Sequence, residues 1–338
     1  MNKLTKIGAS ALCGSLAAIS AANAADLTVT GGADVTWTSL PAQTTGNPIG
    51  IGSNYTMKGS GELDNGWSVD LSIANTNANV YSNTNVTIGI PGLGDLRIDQ
   101  GTSGTGIDRM DDMTPSAWEE ADGAGLSAGI LTVKGTSAGS TIELTPSSDM
   151  VPDGATVRVA YSPDSDGANS SDKGSAGSNG RLGSGWDVTV EATDAAHGIT
   201  GLTVYGGLAQ VDQYQNTGGY TGDVEDQVIG IKYSAGNFTL GYQISERETG
   251  QTGTTKYENT HYSVVFNVND DLSISYGHAE SDESGQSKAT AEADSIQVAY
   301  TMGGASFRIA EVDVKNQHYS TAATADLDAT ILSMGLAF

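Results

Sequence analysis

Six carboxylates crowd into fifteen residues at Asp108, Asp111, Asp112, Glu119, Glu120 and Asp122. Like charges at this density repel one another unless cations or bases share the space. Three readings fit such a group: a hard-cation site, one half of a fixed electric field, or a solvated acidic surface. For the first, Asp108, Asp111 and Asp112 are the calcium candidates, because Ca2+ collects about six to eight oxygen ligands. The Asp-x-Asp-x-Asp-Gly spacing of a dedicated calcium loop is absent, so no other cofactor is expected and calcium stays a bare candidate. For the second, bases must face the acids, and Lys58, Arg97, Arg158, Lys232 and Arg308 are the candidates once the elements that carry them are placed. Catalysis finds no support. The four histidines, His197, His261, His278 and His318, are far apart in sequence, and neither a Gly-x-Ser-x-Gly elbow nor a His-Glu-x-x-His pair occurs.

The elements are strands. Leu27, Val29, Ala33, Val35 and Trp37 share one parity, while Asp26, Thr28, Thr30, Asp34, Thr36 and Thr38 take the other. At about 12 residues this two-faced segment is longer than the usual strand of a soluble sheet, and it suits a tilted crossing of a membrane. The alternation returns at Tyr55, Met57 and Leu63, at Trp67, Val69, Leu71 and Ile73, and so on to Leu332, Met334, Leu336 and Phe338. Sixteen strands are expected. Short turns at 64–66, 91–94, 234–237, 269–271 and 301–304, with somewhat longer ones at 147–153 and 194–200, alternate with polar segments at 39–50, 74–83, 101–138, 163–184, 209–226, 246–256, 280–291 and 313–325. One rim of a closed sheet would then be short-turned and the other loop-rich. The histidines fall in separate connections or near strand ends and are expected at the rims.

Composition agrees. The chain has 45 Gly, 7 Pro, 16% charged residues and a formal charge of −25, which excludes nucleic acid as a partner. Its start reads as an export leader over residues 1–24: Lys3 and Lys6, an apolar run from Ile7 to Ile19, and the close Ala22-Asn23-Ala24. Loss of Lys3 and Lys6 with the leader moves the formal charge from −25 to −27 and removes the one cysteine, Cys13, so disulfides and thiolate metal sites are excluded. Past the leader there is no stretch of 18 or more apolar residues, and the membrane architecture that survives is the barrel. A solenoid would need a fixed repeat, and a soluble sandwich would need a domain boundary; neither is present.

Four segments resemble general diffusion porins of Gram-negative bacteria: the leader, the opening Asp26-Leu27-Thr28-Val29, the Asp64-Asn65-Gly66-Trp67 hairpin, and the close from Ile331 to Phe338, with a terminal Phe on the lipid parity. Residues 91–99, Pro-Gly-Leu-Gly-Asp-Leu-Arg-Ile-Asp, also resemble a turn of the alphaproteobacterial, photosynthetic-bacterium type. The resemblance implies an all-β transmembrane antiparallel barrel over 25–338, in the outer membrane among its lipid and lipopolysaccharide. It further implies a homotrimer in which each pore is narrowed by an inward-folded third loop.

On that frame, 101–138 is the expected constriction. The five bases Lys58, Arg97, Arg158, Lys232 and Arg308 all fall on the lumen parity, where a charge avoids the cost of facing lipid, about 2–4 kcal/mol at the midplane. Together with the six loop carboxylates they are expected to set a transverse field for small polar solutes and ions, with a weak cation preference. The alternative is a selective channel for sugar, phosphate or dicarboxylate. A sugar path would need inward aromatics, of which Tyr205 is the one candidate; a phosphate path would need more bases. Trp67, Tyr233, Phe238, Tyr300 and Phe307 are expected as an aromatic girdle at the short-turn interface, with Trp37, Tyr161, Tyr242 and Tyr276 toward the other.

Overall fold

The computed structural model describes residues 26–39, 47–77, 83–100, 104–137, 139–166, 181–214, 219–253, 256–284 and 288–337. The leader over 1–24 and the terminal Phe338 lie outside the described residues.

Sixteen strands form one closed antiparallel sheet: β1 Asp26–Thr38, β2 Ile49–Glu62, β3 Ser68–Thr76, β4 Asn83–Ile90, β5 Gly94–Asp99, β6 Thr141–Pro146, β7 Ala155–Ser162, β8 Leu182–Ala192, β9 Leu202–Gln213, β10 Val224–Ala235, β11 Phe238–Glu248, β12 Lys256–Asn267, β13 Leu272–Glu283, β14 Ala291–Met302, β15 Ala305–Lys315 and β16 Leu327–Ala337. The seam is β1 against β16, where Trp37 lies opposite Leu332 and Val35 opposite Met334. Closure leaves no strand edge with unpaired amides, which hydrocarbon would not tolerate. The tight turn after β2 shows how local chemistry sets the register. Gly66 takes a φ of 82°, Gly66 N donates to Leu63 O at 2.8 Å, and the Asn65 side chain accepts from Trp67 N at 3.2 Å.

Leu27, Ile51, Leu71, Ile229, Leu240 and Ile274 are exposed on the outer face, and the expected girdle aromatics are exposed beside them. In a soluble sheet this much exposed apolar surface would be a liability; here it is the lipid band.

The strands run further than the alternation of apolar residues suggests. β9 to β15 continue into 209–213, 224–226, 246–248, 280–283, 291 and 313–315, all of which read as polar connections in the sequence. The reason is an inversion of polarity. On β14 and β15 the inward residues Ala291, Ala293, Val312 and Val314 are buried, while Glu292, Asp294, Glu311 and Asp313 alternate with them on the outside. Cross-strand neighbours there are like-charged: Glu225 opposite Glu248, Glu246 opposite Glu258, Glu280 opposite Glu292, and Asp294 opposite Asp313. Directly opposed like charges cost stability even in water and far more in hydrocarbon, so these rows stand above the lipid. Lys256, bonded to Glu246 and Glu258, offsets part of the repulsion.

The boundary between the two regimes is testable by refolding into vesicles across a urea series. Leu240→Arg, inside the band, should destabilise the barrel by about 2–4 kcal/mol, whereas Asp313→Arg, above it, should be neutral or stabilising. Equal losses from both would mean that the band has been drawn at the wrong height.

Candidate functional site

Residues 104–137 enter the barrel after β5 and lie against its inner wall, so their backbone amides lose water and need acceptors. Wall side chains supply them. On the outgoing limb Gly106 N donates to Glu143 Oε2 at 2.7 Å and Ile107 N to Asp187 Oδ2 at 3.1 Å. Further along, Gln243 accepts from Met113 N at 3.3 Å and donates to Asp111 O at 2.8 Å, Ala117 N donates to Ser275 Oγ at 2.9 Å, and the Trp118 and Glu119 amides share Gln297 Oε1 at 3.0 Å. On the return limb Lys134 N and Gly135 N donate to Asp226 Oδ2 at 3.1 and 2.7 Å, and Thr136 N comes back to Asp187 Oδ1 at 3.1 Å. Asp187, fully buried on β8, thus fastens both limbs at the root. Arg109 closes the root by bonding Glu143, and Arg247 holds Asp226 at 3.0 Å.

The wall is cut to receive this loop. Its inward glycines lie where the loop presses closest: Gly207 against Ile107, Gly241 against Pro115, and Gly277 against Ala121. A Cβ at Gly241 would collide with the Pro115 ring. Two apolar clusters complete the seat. Ile107, Met110 and Val133 pack with Tyr205 and Val228, and Ala124 and Ala128 pack with Ala293, Val312 and Ile331. Much of the lumen beside β8–β16 is therefore protein core. Tyr205 belongs to it, 2% exposed beneath the loop with its hydroxyl on Gln243 Oε1 at 2.8 Å, which corrects its reading as an aromatic lining a sugar path.

The loop carboxylates are not equivalent. Asp108 turns back on its own segment, accepting from Gly104 N at 2.6 Å. Asp112 lies within hydrogen-bonding reach of both Asp111 and Glu120. Burial, with Asp112 adding repulsion, pushes Asp111 up to about 8 and Glu120 to about 7. Burial also raises Glu119, against the pull of Arg308. Asp122 is raised by burial although it accepts from Ala128 N at 2.5 Å and Ser127 Oγ at 3.1 Å. Among the described residues no three acidic, His or Cys side chains converge as a metal site, and the calcium candidates Asp108, Asp111 and Asp112 are split between two tasks.

Of the five candidate bases, Arg308 is the one brought to these acids: it pairs with Asp34 at 3.1 Å, lies 5.6 Å from the Trp118 ring and acts on Glu119. Arg97 binds Asp99 at 2.6 Å and reaches Gly104 O at 3.4 Å. Arg158 has Arg109, Glu143 and Glu191 as charged neighbours. Lys232 sits 5.7 Å from the Tyr205 ring, and Lys58 is exposed on β2 between Thr28 and Ser72. Arg97 and Arg158 thus stand beside acids at the loop's root, away from the Asp111, Asp112 and Glu120 group. His261 corrects another expectation: it lies midway along β12, 4% exposed, rather than at a rim. The anchoring groups Arg109, Glu143, Asp187, Asp226, Gln243 and Gln297 did not stand out in the sequence. Their signal was available, since each wall member falls on the parity that carries the bases.

A model of the Gram-negative porin family matches residues 8–334. Among solved structures, Salmonella typhi OmpF in complex with daunomycin superposes with a TM-score of 0.67 at 14% identity, covering 92% of this chain and 97% of that one. Outer-membrane-expressed OmpT of Vibrio cholerae gives 0.65 at 13%, over 94% and 98%. A mutant of the Rh. blastica porin gives 0.56 at 12%, over 93% and 100%. At such identities the likeness is one of fold, and the alphaproteobacterial resemblance rests on residues 91–99 alone. No curated sequence matches the chain.

Two outcomes follow from this geometry. Asp187→Ala strands the Ile107 and Thr136 amides at about 1–3 kcal/mol each, so the loop should become protease-sensitive in detergent and the single-channel current noisier; a protected loop with a quiet current would deny Asp187 its anchoring part. A carboxyl group whose folded pKa is raised binds its proton more firmly when folded, so the stability it lends is full below the unfolded value and is lost as pH rises through the folded one. The loop should therefore lose stability between about pH 4 and pH 8, and Asp111 and Glu120 should gain charge between about pH 6 and pH 9, with cation permeability rising over that second interval. Reversal potentials recorded at both ends of that range test it, and a flat response rejects it.

Proposed function

The chain belongs to the Gram-negative porins, a family of non-enzymatic outer-membrane channels, and we propose that it is a cation-preferring diffusion channel whose constriction is the loop 101–138. Small hydrophilic solutes and ions cross it passively. The observation that carries this reading is the one-sidedness of the lumen. The inner loop covers the wall from β6 to β16 and turns Asp112 and Glu119 toward water, with Asp111 and Glu120 behind them. The strands left bare present Thr28, Thr30, Thr36, Asn54, Thr56 and Ser72 inward, with Lys58 and Arg97 as bases and Asp34, Asp70 and Asp99 as acids.

A permeating ion thus passes between the loop acids and a wall made mostly of hydroxyl and amide groups, where a cation gains and an anion loses. Solutes with hydrogen-bonding groups can exchange water for those hydroxyls, while apolar solutes must displace it without return. The transverse field is carried at one point by Arg308 facing Glu119 and elsewhere by short acid and base pairs along the wall. Calcium is no part of the proposal, since Asp108 already serves its own segment.

The assembly proposed is a homotrimer in outer-membrane lipid and lipopolysaccharide, reached by export with the leader over 1–24. A selective channel for sugar, phosphate or dicarboxylate is the weaker reading. Tyr205 is covered, the wall bases stand beside acids, and the exposed loop acids repel anions.

Reversal potentials in planar bilayers under a KCl gradient should give cation selectivity, and Asp112→Asn with Glu120→Gln should lower the permeability ratio by roughly twofold. Anion selectivity in the unaltered protein would overturn the reading.

A further inference from the structure

We propose that the connection between β15 and β16 is a working part of the constriction, with Gln317, His318 and Tyr319 positioning the far end of the inner loop and, through it, the acidic groups at the narrowing. The inference rests on the reading of the loop as the constriction.

A hairpin needs about two to five connecting residues, and this connection is longer. It uses the extra length to fold inward. Asn316, His318 and Tyr319 all take left-handed backbone, with φ of 52°, 55° and 59°, which side chains other than glycine seldom adopt. Asn316 is tied to its surroundings by N–H donation to Asp326 Oδ1 at 3.0 Å and by Nδ2 donation to Thr290 O at 2.9 Å. The turn then offers three hydrogen bonds to one stretch of the loop. Gln317 Nε2 donates to Ser127 O at 2.7 Å, His318 N donates to Ala128 O at 2.8 Å, and Leu131 N donates to the Tyr319 hydroxyl at 3.2 Å.

Tyr319 also meets the wall. Its hydroxyl pairs with Ser281 Oγ at 2.9 Å, its ring lies 5.3 Å from that of Tyr257, and it is 5% exposed within the apolar cluster that receives Ala124 and Ala128. The loop is shaped to match: Gly129 has a φ of 72°, and a Cβ there would run into the His318 ring.

From 127 to 131 the wall itself supplies a hydrogen bond from Asn259 Nδ2 to Leu131 O at 3.1 Å, against three from the connection. The same stretch gives the Ala128 amide and the Ser127 hydroxyl to Asp122, so its place is passed directly to a loop carboxylate. Strained backbone persists only where its contacts hold it. The turn and the loop end therefore stand or move together, and loss of the turn frees the loop at the end opposite Asp187.

Single-channel recording and reversal potentials on the full chain in planar bilayers test this. Gln317→Ala and Tyr319→Phe should each raise the frequency of partial closures by about threefold and shift the permeability ratio. If Asp112→Asn shifts the ratio while both weakening variants match the unaltered protein, the positioning role is wrong and the constriction reading stands; if none of these variants shifts it, both fall. Should a weakening variant not fold, Ser127→Cys with Gln317→Cys in a Cys13→Ser background compares one folded molecule in two states. The oxidised form should be quiet and the reduced form noisy, and identical records would overturn the proposal.

Discussion

A backbone N–H taken out of water must find an acceptor, and this requirement organises the molecule twice. In the lipid band it forces the sheet to close, so that β1 meets β16 and no edge remains. Inside the barrel it forces a chain with no strand partner to borrow acceptors from the wall, and Glu143, Asp187, Asp226, Gln243 and Gln297 are those acceptors. The anchors sit on β6, β8, β10, β11, β13 and β14, so the loop is stitched along its length rather than hung from its ends. Position of the loop acids is thus inherited from the wall.

The barrel was legible because one rule, apolar residues on alternate positions, governs every strand where it meets lipid. Trp37, Leu240 and Leu332 announce their faces without reference to any neighbour. The same rule misled at the tops of β9 to β15, where water replaces lipid outside and protein replaces water inside. Alternation persists there, but Gln210 and Ala209 have exchanged roles, and a polar outer residue next to a small inner one reads as a connection. Sequence pattern reports the contrast between two faces and says little about which medium each face meets.

The site was legible in part. The loop acids were found because they are dense in sequence, and the bases because they keep to one parity. Their partners were not, because who faces whom depends on how the loop lies, and that is set by glycines such as Gly241 and by single acids such as Asp187 whose sequence neighbourhoods are ordinary. Tyr205 illustrates the limit. Parity correctly turns it inward, but only the seated loop decides that it is buried core instead of channel surface.

The uneven wall has a mechanical corollary. β3 to β7 have 9, 8, 6, 6 and 8 residues, while β9 to β16 have 11 or 12 and carry the acidic rows on their upper outer face. Submerging those carboxylates is costly, so the tall flank floats at a fixed waterline, whereas the low flank has no such mark and remains greasy to its top at Ile98, Ile142 and Tyr161. A solitary barrel ballasted this way would list toward its low side, and copies leaning on one another across that side would stand upright.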